Sequence, residues 1–175
     1  MTKEELRNKY KKIRDSIENR KEKSLVIINK VLEDDDYIKS KTIGIYISFG
    51  SEVDTDLLIR NSILEKEICV PVIINKEMIF SKIESDTKYT NNKYGILEPN
   101  KLKPINKIDL LIIPGICFDK DKNRIGFGGG YYDCYLNNRD IKTIAICFEE
   151  QITEHIPNEK HDVKVKKIIT DKSIY

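Results

Sequence analysis

The order of apolar segments along the chain predicts an α/β fold with a mostly parallel sheet. Strand-length apolar runs alternate with segments of helical period, which is the pattern of helices crossing over between parallel strands. Asp109-Leu110-Leu111-Ile112-Ile113 is continuously apolar rather than alternating, as expected of a central strand covered on both faces. A glycine-rich stretch, Arg124-Ile125-Gly126-Phe127-Gly128-Gly129-Gly130-Tyr131-Tyr132-Asp133, follows that strand and holds four of the eight glycines. At 175 residues the chain is long enough to bury a real core, and one domain over residues 1–175 is expected.

The elements follow in order. Leu6, Tyr10, Ile13 and Ile17 recur at helical spacing, and Thr2 with Glu5 suits a capping box, so a helix starts almost at once. Lys3 and Arg7 share a second face of it, with Arg14 two turns beyond Arg7. That face is either a solvated basic surface or one laid across phosphates. A second helix runs from Ser24 to Leu32, and Asp34-Asp35-Asp36 ends it as a solvated loop. Thr42 to Phe49 alternates, with Ile43, Ile45, Ile47 and Phe49 on one side, and reads as a strand. The turn Gly50-Ser51-Glu52-Val53-Asp54-Thr55 leads into a helix carrying Leu57, Leu58, Ile63 and Leu64, with Asp54 or Thr55 as its cap. Glu52 then lies at the C-terminal end of a strand, where open α/β sheets place ligands.

Glu67 to Ile74 is a further buried strand, with Pro71 at an edge or bulge, and Glu77 to Ile83 is its hairpin partner. Ser85 to Asn92 reads as polar loop, and Pro99 forces Glu98 to be extended. Tyr131 to Leu136 starts a helix, Thr143 to Phe148 forms another central strand, and Lys166 to Thr170 a last short one. Both histidines, His155 and His161, fall in the loop between.

Composition excludes several classes. Charged residues make up 34%, yet 31 Lys+Arg against 29 Asp+Glu leave a net charge of only +2, so no field for nucleic acid or membrane is implied. Apolar runs are far shorter than the roughly twenty residues a membrane span needs. With no apolar region near its charged N-terminus, the chain is expected to be soluble and cytoplasmic. Cys69, Cys117, Cys134 and Cys147 show no paired spacing and read as reduced thiols rather than zinc ligands.

The glycine stretch carries the chemistry. Glycines let backbone N–H groups approach an anion closely, the Arg124 guanidinium offers a fork for phosphate, and Asp133 offers a hard oxygen for Mg²⁺. A plain glycine-rich turn would look the same over Gly126 to Gly130. A Rossmann fingerprint fits poorly, because Pro114 to Asn123 intervenes between strand and glycines.

Several motifs now line up in order. Lys3-x-x-x-Arg7, Ser51-Glu52-Val53-Asp54-Thr55, Gly95-x-x-Glu98-Pro99, Pro114-Gly115 through Asp133, and the closing Pro157…Asp162 segment together resemble the 5-formyltetrahydrofolate cyclo-ligase family, also called 5,10-methenyltetrahydrofolate synthetase. The resemblance implies a three-layer α/β/α fold like that of ribose-phosphate isomerases and CoA transferases. It implies an ATP- and Mg²⁺-dependent closure of 5-formyltetrahydrofolate to 5,10-methenyltetrahydrofolate, with a monomer or a dimer as the working form.

Residue by residue, Lys3 and Arg7 would hold ATP phosphates, together with Arg124, Ile125, Gly126, Phe127, Gly128, Gly129, Gly130, Tyr131 and Tyr132. Ile47 and Glu52 would meet the folate, with Phe127, Gly128, Gly129, Gly130 and Tyr131 reaching its formyl group. Arg124 would be the catalytic cation, and Asp133 and Asp162 the magnesium ligands. The chain departs from the family's pattern at Phe127, which often is polar, basic or tyrosyl there, at Cys134, and at Lys166-Lys167. A non-catalytic folate- or nucleotide-binding protein on the same scaffold is the alternative these residues leave open.

Overall fold

The computed structural model describes residues 1–175. Its helices are α1 (Lys3–Ser16), α2 (Arg20–Leu32), α3 (Asp35–Lys39), α4 (Asp56–Ser62) and α5 (Tyr131–Leu136). Its strands are β1 (Thr42–Ile45), β2 (Glu67–Ile74), β3 (Glu77–Ile83), β4 (Tyr89–Asn91), β5 (Leu97–Pro99), β6 (Pro104–Ile105), β7 (Leu110–Ile113), β8 (Cys117–Asp119), β9 (Arg124–Ile125), β10 (Lys142–Ile146), β11 (Ile152–Thr153) and β12 (Lys167–Ile169).

Seven strands form one sheet in the order β12-β10-β7-β1-β2-β3-β6. The first five run parallel, β3 runs against them, and β6, antiparallel to β3, returns to their direction, which matches the mostly parallel sheet expected. Alternate residues of β7 face opposite sides. Leu110 and Ile112 join Ile27, Ile28 and Val31 of α2, Tyr37 of α3 and Leu58 of α4 in one core. Leu111 and Ile113 join Tyr135 and Leu136 of α5 in the other. Covering on both faces is why this strand reads as an unbroken apolar run.

A smaller sheet, β11-β8-β9, stands beside the main one. Helix α1 packs here: Leu6 and Tyr10 are buried against Ile116, Cys117, Ile125 and Ile156. The Thr2–Glu5 capping box is present in full. The turn between β8 and β9 hangs on Asp119, which is wholly buried. Its carboxylate accepts from Asn123 N, Asn123 Nδ2 and Ile156 N, each at 2.9 Å.

Five expectations need correction. The first strand stops at Ile45, not Phe49, because beyond it the turn's side chains replace the sheet as hydrogen-bond partners. Ser48 N donates to Thr55 Oγ1 and Phe49 N to Glu52 Oε2, leaving Phe49 46% exposed. Asp34-Asp35-Asp36 is not a loop: Asp34 caps α3 by accepting from Asp36 N, and Asp34 and Asp36 pair with Lys167 and Lys142. Within Ser85 to Asn92, Tyr89–Asn91 forms an antiparallel ribbon with Leu97–Pro99, joined by a turn in which Asn92 Oδ1 accepts from Tyr94 N and Ile96 N. Helix α4 ends at Ser62, which leaves Leu64 exposed beyond it.

The second helix also begins earlier than Ser24, at Arg20, so Ser24 is an interior, buried residue whose hydroxyl accepts from Asp54 N. As for the thiols, Cys69, Cys117 and Cys147 are buried and Cys134 is exposed. Burial pushes the Cys69 and Cys117 thiols up to about 12, far from thiolate reactivity.

Asp119→Ala would strand three donors in the interior. Urea denaturation should show a loss of about 3 kcal/mol or more, since each of the three donors left unpaired costs about 1–3 kcal/mol. A loss under about 1 kcal/mol would mean that water replaces the carboxylate without cost.

Candidate active site

Strand order reverses between β1 and β7: β2 lies outward of β1 on one side, β10 and β12 outward of β7 on the other. A crevice at the C-terminal ends of the strands opens at such a switch point. The Ser51–Thr55 turn follows β1 there, and Pro114-Gly115 follows β7.

Glu52 occupies this place. Its side chain is only 8% exposed. Burial raises its carboxyl pKa above the ordinary value, opposed by the Phe49 N–H bond to Oε2 at 2.9 Å and by the Arg14 guanidinium, whose Nη1 lies 3.9 Å from Oε1. It borders a cavity of about 510 Å³ together with Ser48, Gly50, Asp54 and the first turn of α2. Ile47 sits half-buried in the same loop, against the α2 side of the core. Tyr46 and Tyr132 stand near enough for the Glu52 charge, added to burial, to raise their hydroxyl pKa values.

The glycine stretch lies across from it. Gly128 (φ +104°) and Gly130 (φ +64°) hold left-handed backbone that side chains disfavour, so the chain can double back between β9 and α5. Helix α1 reaches over this segment. Arg7 Nε donates to Gly126 O at 3.0 Å, and the Arg7 guanidinium lies 3.7 Å from where a side chain on Gly128 would begin. Phe127 is 55% exposed, its ring centroid 5.4 Å from the Arg14 guanidinium.

The charged ends of the stretch meet each other. Arg124, its side chain 5% exposed, donates from Nη2 to Asp133 Oδ2 at 2.9 Å and lies over the Tyr132 ring at 5.5 Å. Asp133 Oδ1 accepts from Val163 N at 3.2 Å, which brings the segment after Asp162 against it. Asp162 Oδ2 accepts from Lys3 Nζ at 2.5 Å and from Glu159 N. Burial alone would raise the Asp162 carboxyl pKa, but the Lys3 ammonium and the Glu159 N–H hold it below the ordinary value. The carboxylate and imidazole atoms that gather within 4.8 Å of one another are those of Glu159, His161 and Asp162. Asp133 is not among them, so Asp162 has Glu159 and His161, rather than Asp133, as its nearest potential metal-ligand neighbours.

The structure thus brings Lys3, Arg7, Arg124 to Asp133 and Asp162 to one side of the crevice, with Glu52 facing them across Arg14. Arg14 was on the sequence's basic face without a role of its own. It is 4% exposed, with Nε donating to Ser51 Oγ at 3.0 Å and Nη1 to Gly115 O at 3.4 Å. Its seven-residue spacing from Arg7 was the only signal that could have placed it here.

A doubly covered α/β sheet, with a basic glycine-lined segment and a buried carboxylate meeting at its switch point, offers a place for an anion beside a buried hydrogen-bond acceptor. The chain belongs to the 5-formyltetrahydrofolate cyclo-ligase family, which it matches over residues 1–171. It is 32% identical to the 5-formyltetrahydrofolate cyclo-ligase of Mus musculus, over 90% of this chain and 87% of that one. It is also 32% identical to the Haemophilus influenzae protein of that name, over 75% and 76%. Among solved structures it resembles 5,10-methenyltetrahydrofolate synthetase of Aquifex aeolicus, with a TM-score of 0.90 and 29% identity, covering 99% of this chain and 92% of that one. The synthetase from Mycoplasma pneumoniae gives 0.79 and 27%, covering 98% and 99%.

Because the Glu52 pKa is raised in the folded state, its contribution to stability is complete below the unfolded value near 4.5 and is lost as pH rises through the folded value. Glu52→Gln removes that titration. Its melting temperature relative to the unsubstituted protein should therefore climb as pH rises from about 4 toward neutrality. A difference that stays flat over this range would show that folding does not perturb Glu52.

Proposed function

We propose that this protein closes 5-formyltetrahydrofolate to 5,10-methenyltetrahydrofolate with consumption of ATP and release of ADP and phosphate. Family membership supports the folate substrate. The observation that carries the site assignment is the buried Glu52 carboxylate facing a basic, glycine-rich segment across the sheet's switch point. A carboxylate accepts two parallel N–H bonds, which the 2-amino and N3–H groups of a pterin present side by side. The cavity beside Glu52 gives the ring system room.

A formamide oxygen is a poor nucleophile and a worse leaving group. Transfer of the γ-phosphoryl of ATP to that oxygen releases ADP and makes an iminium-like ester; N10 attacks its carbon and gives up its proton, and phosphate departs with the C–O bond. Such a transfer asks a protein for positioning and charge neutralisation more than for covalent chemistry. Lys3 and Arg7 would hold the triphosphate from α1. The N–H groups of Gly128 to Gly130 would line its γ end, and Phe127 and Tyr131 would border the formyl group. Arg124 is the cation that would neutralise charge on the transferring phosphoryl: its Nη2 is held by Asp133, while Nη1 lies against Gly126.

Asp133 and Asp162 fit a magnesium ion by donor chemistry. Both present hard oxygens, and each already lies against a cation, Arg124 or Lys3. A bound ion would supply further neutralisation between phosphate oxygens. The doubly covered sheet is consistent with the three-layer scaffold of ribose-phosphate isomerases and CoA transferases. No helix is long and apolar enough to cross a membrane, in keeping with a cytoplasmic enzyme.

The test is to mix protein, 5-formyltetrahydrofolate, ATP and Mg²⁺ and follow the near-ultraviolet absorbance of the methenyl product. Product should form only with all three present. Binding of folate or ATP without product would favour a non-catalytic binding protein instead. Glu52→Gln should raise KM for the folate by on the order of tenfold to a hundredfold while leaving that for ATP nearly unchanged. Equal effects on both would remove Glu52 from the pterin. Asp133→Asn should lower kcat by at least about tenfold with the fold intact by circular dichroism; full activity would exclude Asp133 as a metal ligand.

A further inference from the structure

Glu52 would be a poor pterin acceptor if left alone in the interior. Buried carboxylates drift toward the neutral form, and a neutral carboxyl cannot accept both N–H bonds. The Phe49 N–H holds Oε2 at 2.9 Å, and something must keep the other oxygen, Oε1, charged and correctly turned. Two tyrosines, Tyr46 beyond β1 and Tyr132 of α5, face it, but both hydroxyls are kept neutral by burial. On its cavity side stand Asp54 and, from α2, Arg20, Lys21 and Glu22. Lys21 and Glu22 are exposed and screened by solvent. The Arg20 guanidinium is committed to the carbonyls of Asp15 and Ile17.

Arg14 is the one cation within 4 Å of the Glu52 carboxylate. Four segments fix its guanidinium. It grows from α1; Ser51 accepts from Nε, with the serine hydroxyl in turn donating to Asp15; Gly115 O, past β7, accepts from Nη1; and the Phe127 ring lies over it. Gly115 O is itself held by Gln151 Nε2 at 3.0 Å. The third nitrogen, Nη2, makes no hydrogen bond within the chain. A planar fork held on so many sides cannot follow a wandering carboxylate, so the carboxylate must conform to it.

We propose that Arg14 is a positioning residue of the ring closure. It sets the orientation of the Glu52 carboxylate for the pterin and ties that carboxylate to the glycine segment through Phe127. The proposal rests on the reading of Glu52 as the pterin acceptor. It goes beyond that reading by making the N-terminal helix a determinant of folate recognition, in addition to holding phosphate through Lys3 and Arg7.

A double-mutant cycle separates the two ideas. KM for 5-formyltetrahydrofolate and for ATP is measured for the unsubstituted protein, Arg14→Gln, Glu52→Gln and the double variant. Arg14→Gln should raise the folate KM about thirtyfold and the ATP KM less than about threefold. On the Glu52→Gln background the same change should alter the folate KM by less than about threefold, because its target is already gone. With the unsubstituted protein the folate KM should rise as pH falls and Glu52 protonates. In Arg14→Gln that rise should begin at a higher pH, since loss of the cation raises the Glu52 pKa further.

Arg14→Lys keeps the charge and loses the fork, and serves where Arg14→Gln fails to fold. It should raise the folate KM several-fold with the pH limb unmoved. Full additivity in the cycle, equal losses for ATP and folate in either Arg14 variant, or an unmoved pH limb in Arg14→Gln would each overturn the proposal while leaving Glu52 its role. If Glu52→Gln alone leaves the folate KM unchanged, the pterin reading itself fails and the proposal falls with it.

Discussion

The seating of α1 on the small β11-β8-β9 sheet is the contact on which the rest of the site depends. Leu6 and Tyr10 are buried against Ile116, Cys117, Ile125 and Ile156, all of them in or beside the segments that lead into and out of the glycine stretch. Once that apolar face is down, helical geometry leaves no freedom in where the cationic side chains go. Lys3, Arg7 and Arg14 share one face, one and then two turns apart, so they reach Asp162, Gly126 O and Glu52 in order along it. A helix that lies off the main sheet thereby organises a crevice at the C-terminal ends of that sheet's central strands.

Charge in this crevice is paired before any ligand arrives. Arg124 holds Asp133, Lys3 holds Asp162, and Arg14 stands by Glu52. The pairing keeps side chains of low exposure from being stranded as unpartnered charges, and it fixes their rotamers. It also means that any polyanion binding these cations would do so by exchange of partners. A phosphate competing for Lys3 or Arg124 releases a carboxylate of the kind that a hard cation prefers.

Legibility from sequence followed the range of the forces involved. The Thr2–Glu5 capping box, the α5 limits at Tyr131 and Leu136, and the uninterrupted β7 run depend on neighbours in sequence or on simple periodicity, and they appear in the structure as expected. Phe49 broke the pattern. The alternation that placed it in a strand is real, but Thr55 and Glu52, folding back from the turn, take the backbone donors that a longer strand would have offered. The β4–β5 ribbon was hidden because its strands are three residues each and mostly polar, leaving little period-two signal. Asp34 was misread for a related reason, since an acidic cluster looks like solvated loop until the helix it caps is known.

Arg14 and Asp119 show the boundary most clearly. By itself the sequence determined the helix–strand alternation, the parallel sheet, the family, and the types of side chain that an ATP-dependent ring closure would require. Those follow from periodicity, local turn chemistry and an ordered set of motifs. Only the tertiary structure decided that Arg14 is buried beside Glu52 and that Asp119 anchors the turn ahead of the glycines. It also decided that Arg124 and Asp133 face each other. A charged residue's burial is set by what packs over it from distant parts of the chain. Position 14 meets residues 51, 52, 115 and 127 only after four separate segments have folded onto one another.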